Sequence, residues 1–174
     1  MNSKTNTPDM SAKSTSENRI QGSCLCGGIR FSFSLPHVRF NYCHCGSCRK
    51  TTGSSNAANV LIPLAQFRWE EGESLVSRFT DSAVNPGFRR WFCCRCGGPA
   101  PRLNRTDEFM VIQAGLLDTP LPISPERSIY WSERAEWLVA VDAIPKYVEG
   151  LDSSLSNEPL HTQSIGNSDS GAPP

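Results

Sequence analysis

The chain has 174 residues, enough for one domain with peripheral extensions. Lysine plus arginine and aspartate plus glutamate number 17 each, a balance that argues against a nucleic-acid or anionic-membrane surface. No apolar run approaches the roughly 18 residues needed to span a bilayer, and residues 1–19 lack the apolar stretch of a signal peptide, so a cytoplasmic, reducing location is expected.

Residues 1–19, rich in Ser, Thr, Asn and Lys, have little to bury and read as a disordered tail. Residues 151–174, full of Ser, Asn, Gly and Pro, read the same way, leaving 20–150 as the folded domain. Within it Ile29, Phe31, Phe33 and Leu35 alternate with Arg30, Ser32 and Ser34, the period-2 pattern of a half-buried strand. Val38, Phe40 and Tyr42 continue a second alternating run that delivers the chain to Cys43. Further strands are expected at Ala57–Ile62 (stopped by Pro63), Leu75–Phe79, Phe88–Phe92, Phe109–Ala114, Ile129–Trp131 and Trp137–Val141. Only Arg49–Gly53 and Pro63–Phe67 suggest helical turns, and the three prolines of Thr119–Pro125 require irregular chain. Many short strands at this spacing predict a mostly β domain. Trp69, Trp91, Trp131 and Trp137 read as core residues.

The chain carries eight cysteines. In a reducing compartment, closely spaced C-x-C and C-x-x-C pairs are explained by zinc rather than by disulfides, which such tight pairs suit poorly. Cys43, Cys45 and Cys48 form a C-x-C-x-x-C run. Residues two apart on an extended segment share a face, so Cys43 and Cys45 project together, His44 points away, and Gly46-Ser47 can turn Cys48 back towards them. Three thiolates without an obvious fourth partner describe a zinc site with an open position, which suits exchange with a substrate thiol or water. Cys24 and Cys26 precede Gly27-Gly28, and Cys93 and Cys96 precede Gly97-Gly98; glycines there let backbone amides approach the thiolates. A closed site from Cys24, Cys26, Cys93 and Cys96 plus the open three-thiolate site accounts for seven cysteines, although spacing leaves other partitions open. Cys94 is expected to point away and pack as a small apolar residue. His44 reads as supporting the site rather than ligating. Arg49 and Lys50, beside the open site, are candidates to hold substrate carboxylates. Arg89, Arg90, Arg95, Arg102 and Arg105 occur with no acid between Asp81 and Asp107; the favoured reading is that they balance the charge of a four-thiolate zinc, and the alternative is that they hold the carboxylates of an anionic substrate.

The three motifs Gly22-Ser23-Cys24-Leu25-Cys26-Gly27-Gly28, Cys43 to Gly53 (C-H-C-x-x-C-R-K-x-x-G) and Arg90 to Gly97 (R-x-F-C-x-x-C-G) resemble those of the glutathione-dependent formaldehyde-activating enzyme family, which includes the centromere protein V domain. The likeness extends over about residues 21–148, through Ile62-Pro63, Gly72-Glu73 and Ala114 to Asp118. It implies a β-tent fold with two zinc sites: Cys24, Cys26, Cys93 and Cys96 as structural ligands, and Cys43, Cys45 and Cys48 as catalytic ones. The implied activity is a carbon–sulfur lyase working in the synthetic direction, joining glutathione or a similar thiol to formaldehyde or another small electrophile. The rival expectation is a non-catalytic glutathione-binding or protein-interaction module. One stretch departs from the family pattern: Gly98-Pro99-Ala100-Pro101-Arg102 stands where Thr or Ser and then a larger apolar residue often follow the last C-G.

Overall fold

Alternating apolar residues build ten short strands among the described residues, and their ends carry the cysteines. The computed structural model describes residues 19–83, 87–139, 143–150 and 152–156. Both expected tails fall largely outside these. The described stretches begin with a strand at Arg19 and end with a bridge between Tyr147 and Leu155.

Strands β1 (Arg19–Ser23), β2 (Arg30–Ser34) and β5 (Phe67–Glu71) form one sheet in the order β1-β2-β5. A second sheet has the order β10-β3-β4-β9-β8, from β10 (Arg127–Ile129), β3 (Arg39–Cys43), β4 (Ala57–Pro63), β9 (Phe109–Gln113) and β8 (Arg102–Leu103). Strands β6 (Val76–Asp81) and β7 (Phe88–Cys93) pair as a hairpin. Every pairing is antiparallel except β10 with β3, which is parallel and sets Ile129 beside Cys43. The one α-helix of the described residues, α1 (Gly46–Thr52), follows β3.

The mostly β architecture expected from the sequence is present. Strands β1, β5 and β8 were not anticipated: β1 carries a single large aliphatic residue, Ile20, and β8 is only two residues long. In β5, Phe67 and Trp69 alternate with Arg68 and Glu70, although Phe67 falls in the expected Pro63–Phe67 turn. Trp137–Val139 is not a strand, and residues 140 and 141 lie outside the described residues.

The main core lies between the first two sheets, where Ile20, Phe31, Phe33, Phe40, Val60, Ile62, Met110, Ile112 and Leu116 pack together. Burying a side chain the size of Phe31 or Ile62 contributes about 1.5–3 kcal/mol. Ser32, expected on the outer face of β2, is buried as well. It is satisfied by polar partners: Arg19 Nε donates to its hydroxyl at 2.8 Å, and the hydroxyl donates to Glu70. A second core joins Cys24, Ile29, Trp91, Cys93 and Ala100, and a third joins Cys43, Cys48, Ala57 and Phe88. Trp91 is core as expected, but Trp131 and Trp137 are more than half exposed, because they lie beyond β10 where no sheet covers them.

Gly72, after β5, has φ +71°, and a β-carbon there would overlap the carbonyl oxygen of Gly28. This close backbone approach packs the β5–β6 connection onto the Cys24–Gly28 turn. Gly72→Ala combines left-handed strain with a clash against backbone, and is expected to destabilise the domain by at least ~2 kcal/mol, read as a lowered urea midpoint at unchanged m.

Candidate metal centres and the adjoining cavity

The four-cysteine cluster forms from two turns at strand ends. Cys24 leaves β1; its carbonyl accepts from Gly27 N at 2.8 Å and its sulfur from Ile29 N at 3.3 Å. Cys93 ends β7, and Gly97 N donates to its carbonyl at 2.9 Å. Gly27 and Gly97 both take φ +70°, which turns each chain tightly enough to aim the next amide at a sulfur. The Gly28 amide meets Cys26 and the Gly98 amide meets Cys96. The Gly98 contact chiefly brings the Cys96 thiol down to about 6. The paired glycines thus do what the sequence pattern suggested. Cys94 is exposed, its backbone tied to Leu75, rather than packed as expected.

The three-cysteine cluster grows from the end of β3 into α1. Cys45 takes the position where Ser or Asp usually caps a helix, its sulfur accepting from Cys48 N at 3.4 Å. The helix starts earlier than the expected Arg49 turn because this cap, with Arg49 N donating to Cys45 O at 3.0 Å, holds the first turn. Gly53, at φ +64°, closes it, its amide donating to Arg49 O. The end of β10 and the residues after it clasp the loop: His44 N donates to Ile129 O at 3.0 Å, and Gly46 N to Glu133 Oε2 at 3.2 Å. His44 does turn away from the sulfurs. It is buried with its ring edge-on to Trp131, centroids 5.0 Å apart, and neither ring nitrogen has a hydrogen-bond partner among the described residues.

Within each cluster all sulfurs lie within 4.8 Å of one another. Tetrahedral zinc with Zn–S bonds of ~2.3 Å needs sulfurs about 3.8 Å apart. The separations of Cys24 and Cys26 (3.5 Å), Cys26 and Cys93 (3.9 Å) and Cys43 and Cys45 (3.6 Å) match that spacing. All eight cysteines are free of disulfides. The titration of the three-cysteine cluster fits a cation as well. Hydrogen bonding from Cys48 chiefly brings Cys43 down to about 6, while that same bond and burial push Cys48 far up. Burial chiefly pushes Cys45 up as well. The clusters could therefore hold metal ions.

A cavity of about 610 Å³ opens beside Cys43, Cys45 and Cys48. Asn59, buried on β4, reaches Cys48 Sγ at 4.0 Å. Phe88 packs against Cys43 and Cys48, and the Arg102 guanidinium lies 5.4 Å from the centre of its ring. Arg89, Arg102 and Arg105 line the cavity against one carboxylate, Glu133, giving it a net positive wall. The expectation that these arginines serve the four-cysteine cluster is thereby corrected, since they face the other centre. Arg95 alone of the group lies near Gly28 and its turn. Arg49 and Lys50 lie in the last turn of α1, outside the cavity lining. Sequence reasoning missed Asn59, Phe88, Tyr130 and Glu133. Asn59 had a signal, as a lone amide inside an apolar strand; Glu133 reaches the site only through the β10 pairing.

The model of the glutathione-dependent formaldehyde-activating enzyme family matches residues 19–133. The chain belongs to this family. A Halomonas elongata protein, named provisionally as a glutathione-dependent formaldehyde-activating enzyme, is 33% identical over 125 residues, covering 68% of this chain and 79% of its own. A crystal structure of a Rhodobacter sphaeroides protein is similar at 22% identity and a TM-score of 0.45, over 59% of this chain and 91% of its own. The family match spans both cysteine clusters and the cavity arginines. No helix among the described residues is long and apolar enough to cross a membrane.

The two neighbouring cysteines of the second knuckle give a sharp test. Cys93→Ser is expected to lose about one zinc per chain by elemental analysis and to lower the melting temperature, while Cys94→Ser keeps the full zinc content and melts with the wild type.

Proposed function

We propose that the protein is a zinc-dependent carbon–sulfur lyase of the glutathione-dependent formaldehyde-activating type, joining glutathione or a similar small thiol to formaldehyde or another small electrophile. Cys43, Cys45 and Cys48 hold the working zinc, and Cys24, Cys26, Cys93 and Cys96 hold a structural one. The observation that carries this reading is the difference between the clusters. Four sulfurs would complete a tetrahedral zinc site, whereas the three at the wall of a cavity large enough for a peptide-sized thiol would not.

Zinc bound there supplies a Lewis acid that favours the thiolate of an incoming thiol or polarises an aldehyde oxygen. The chemistry is an addition: the sulfur lone pair forms the S–C bond, the carbonyl π pair moves to oxygen, and the thiol proton ends on that oxygen. This chain's residues supply the setting. Asn59 donates towards Cys48, Phe88 walls the sulfurs from bulk water, and Glu133 fixes the Cys45–Gly46 turn. The net positive wall attracts an anionic thiol. Arg49 and Lys50, which follow Cys48 directly in α1, add attraction for the same carboxylates from outside the lining. A cytoplasmic setting, with its millimolar-scale pool of reduced thiol, suits both the free cysteines and such a substrate.

Cys45→Ser removes both a ligand and the sulfur cap of α1. It is expected to lose about one zinc per chain and at least ~100-fold in the rate of S-(hydroxymethyl)glutathione formation, followed by NMR with labelled formaldehyde. Full turnover and zinc content in this variant would overturn the proposal; glutathione binding without any rate acceleration in the wild type would identify a carrier instead.

A further inference from the structure

Arg102 sits where the chain leaves the family pattern. After Gly98, Ala100 and Pro101 are buried, and Ala100 N donates to Trp91 O at 3.0 Å, so the segment is held against the second core. It emerges as β8, whose Arg102 pairs in register with Val111 of β9. The side chain is therefore delivered to the cavity from a fixed strand rather than from a mobile loop.

The three cavity arginines are not equivalent. Arg89 is committed: it donates to Asn104 O at 3.0 Å and pairs with Asp107. Arg105 is exposed to solvent. Arg102 is half-buried, its guanidinium over the Phe88 ring, and among the described residues no oxygen accepts from it and no carboxylate pairs with it. Burial chiefly lowers its pKa, and the nearby cysteines counter that by favouring the charged form. A guanidinium carries five donors in a planar fork, and among the described residues Arg102 spends none of them on an oxygen. A half-buried cation with an unused fork fits a planar anion better than it fits water. Phe88 bridges the two parts of the site, touching Cys43 and Cys48 and carrying Arg102 over its ring.

We infer that Arg102 is a specificity-determining residue, receiving in its planar fork a carboxylate of the substrate while that substrate's reacting end lies at the Cys43, Cys45 and Cys48 centre. The inference rests on the proposed function for its reaction but names a recognition element that the family motifs do not contain. The carboxylate can come from the thiol, as in glutathione, or from the electrophile, as in an oxo acid such as glyoxylate.

The test uses zinc-loaded wild-type protein, Arg102→Met and Arg102→Lys, with glutathione or its diethyl ester as thiol and formaldehyde or glyoxylate as electrophile. In the wild type, kcat/KM is expected to favour one carboxylate-bearing partner over its carboxylate-free counterpart. Arg102→Met is expected to shrink that ratio by ~10- to 100-fold, and Arg102→Lys to restore part of it, since charge returns without the fork. A ratio lost for glutathione against its ester places the carboxylate on the thiol; one lost for glyoxylate against formaldehyde places it on the electrophile. Calorimetric binding of glutathione and of glyoxylate is measured in parallel. If no pair is turned over, the proposed function fails, yet carboxylate binding that depends on Arg102 still supports this inference. Unchanged ratios and unchanged binding in Arg102→Met overturn it. So does loss of the second zinc in Arg102→Met with recovery in Arg102→Lys, which would make the guanidinium a counter-charge for the thiolates. Should Arg102→Met fail to fold, Arg102→Gln is read in the same way.

Discussion

Sulfurs in this fold are held closer together than unscreened thiolates tolerate. Two thiolates at the 3.6 Å separation of Cys43 and Cys45 repel by about 5 kcal/mol at an effective dielectric near 20. Hydrogen bonding from Cys48 holds the Cys43 thiol low, while the same bond and burial push Cys48 up. A divalent cation in each cluster would relieve that conflict. Much of the local structure serves that crowding: the paired glycines that present amides to Cys26 and Cys96, the Asn59 amide at Cys48, and the use of Cys45 as a helix cap.

The two clusters organise different parts of the fold. Cys24 and Cys26 follow β1, while Cys93 and Cys96 end the β6–β7 hairpin, so closing the first cluster ties that hairpin to the β1-β2-β5 sheet. The hairpin pairs with no strand of either larger sheet among the described residues, and a metal joining positions nearly 70 residues apart removes considerable freedom from the unfolded chain. The second cluster belongs wholly to one local segment at the end of β3. Its shape depends on neighbours: the parallel β10 sets Ile129 beside Cys43, and Glu133 reaches the Gly46 amide. Tyr130, between them, is forced to φ +55°, a costly backbone state for a bulky residue, at the cavity wall.

Legibility in the sequence followed the same division. Local patterns were readable: the alternation at Phe31 and Phe33, the spacing of each cysteine group, and the rotation of His44 away from Cys43 and Cys45. What was not readable depended on contacts between distant segments. The arginines between Phe88 and Thr106 looked like one basic run near a four-cysteine motif, and sequence distance placed them with Cys93 and Cys96. The register of β8 on β9 instead turns Arg102 to the opposite centre, and the turn that follows β8 commits Arg89. Ser32 was assigned to the outer face by alternation, but the flanking strands β1 and β5 supply Arg19 and Glu70 as its partners there. Trp131 and Trp137 looked like core by type alone, and lie beyond the last strand.

The charge around the two centres differs. Four thiolates and one zinc carry a formal −2, and the amides of Gly28 and Gly98 are directed at two of those sulfurs. Three thiolates and one zinc carry −1, and their surroundings hold full positive charges, of which Arg102 is least committed to the protein itself. The nearby sulfurs and the Phe88 ring offset part of the cost of desolvating that cation, but among the described residues no oxygen accepts from its fork. A centre that takes up an anionic ligand recovers the cost each time the ligand binds. The excess of positive charge at the three-cysteine centre, together with its missing fourth sulfur, therefore favours a site built for exchange over one built only to hold the fold.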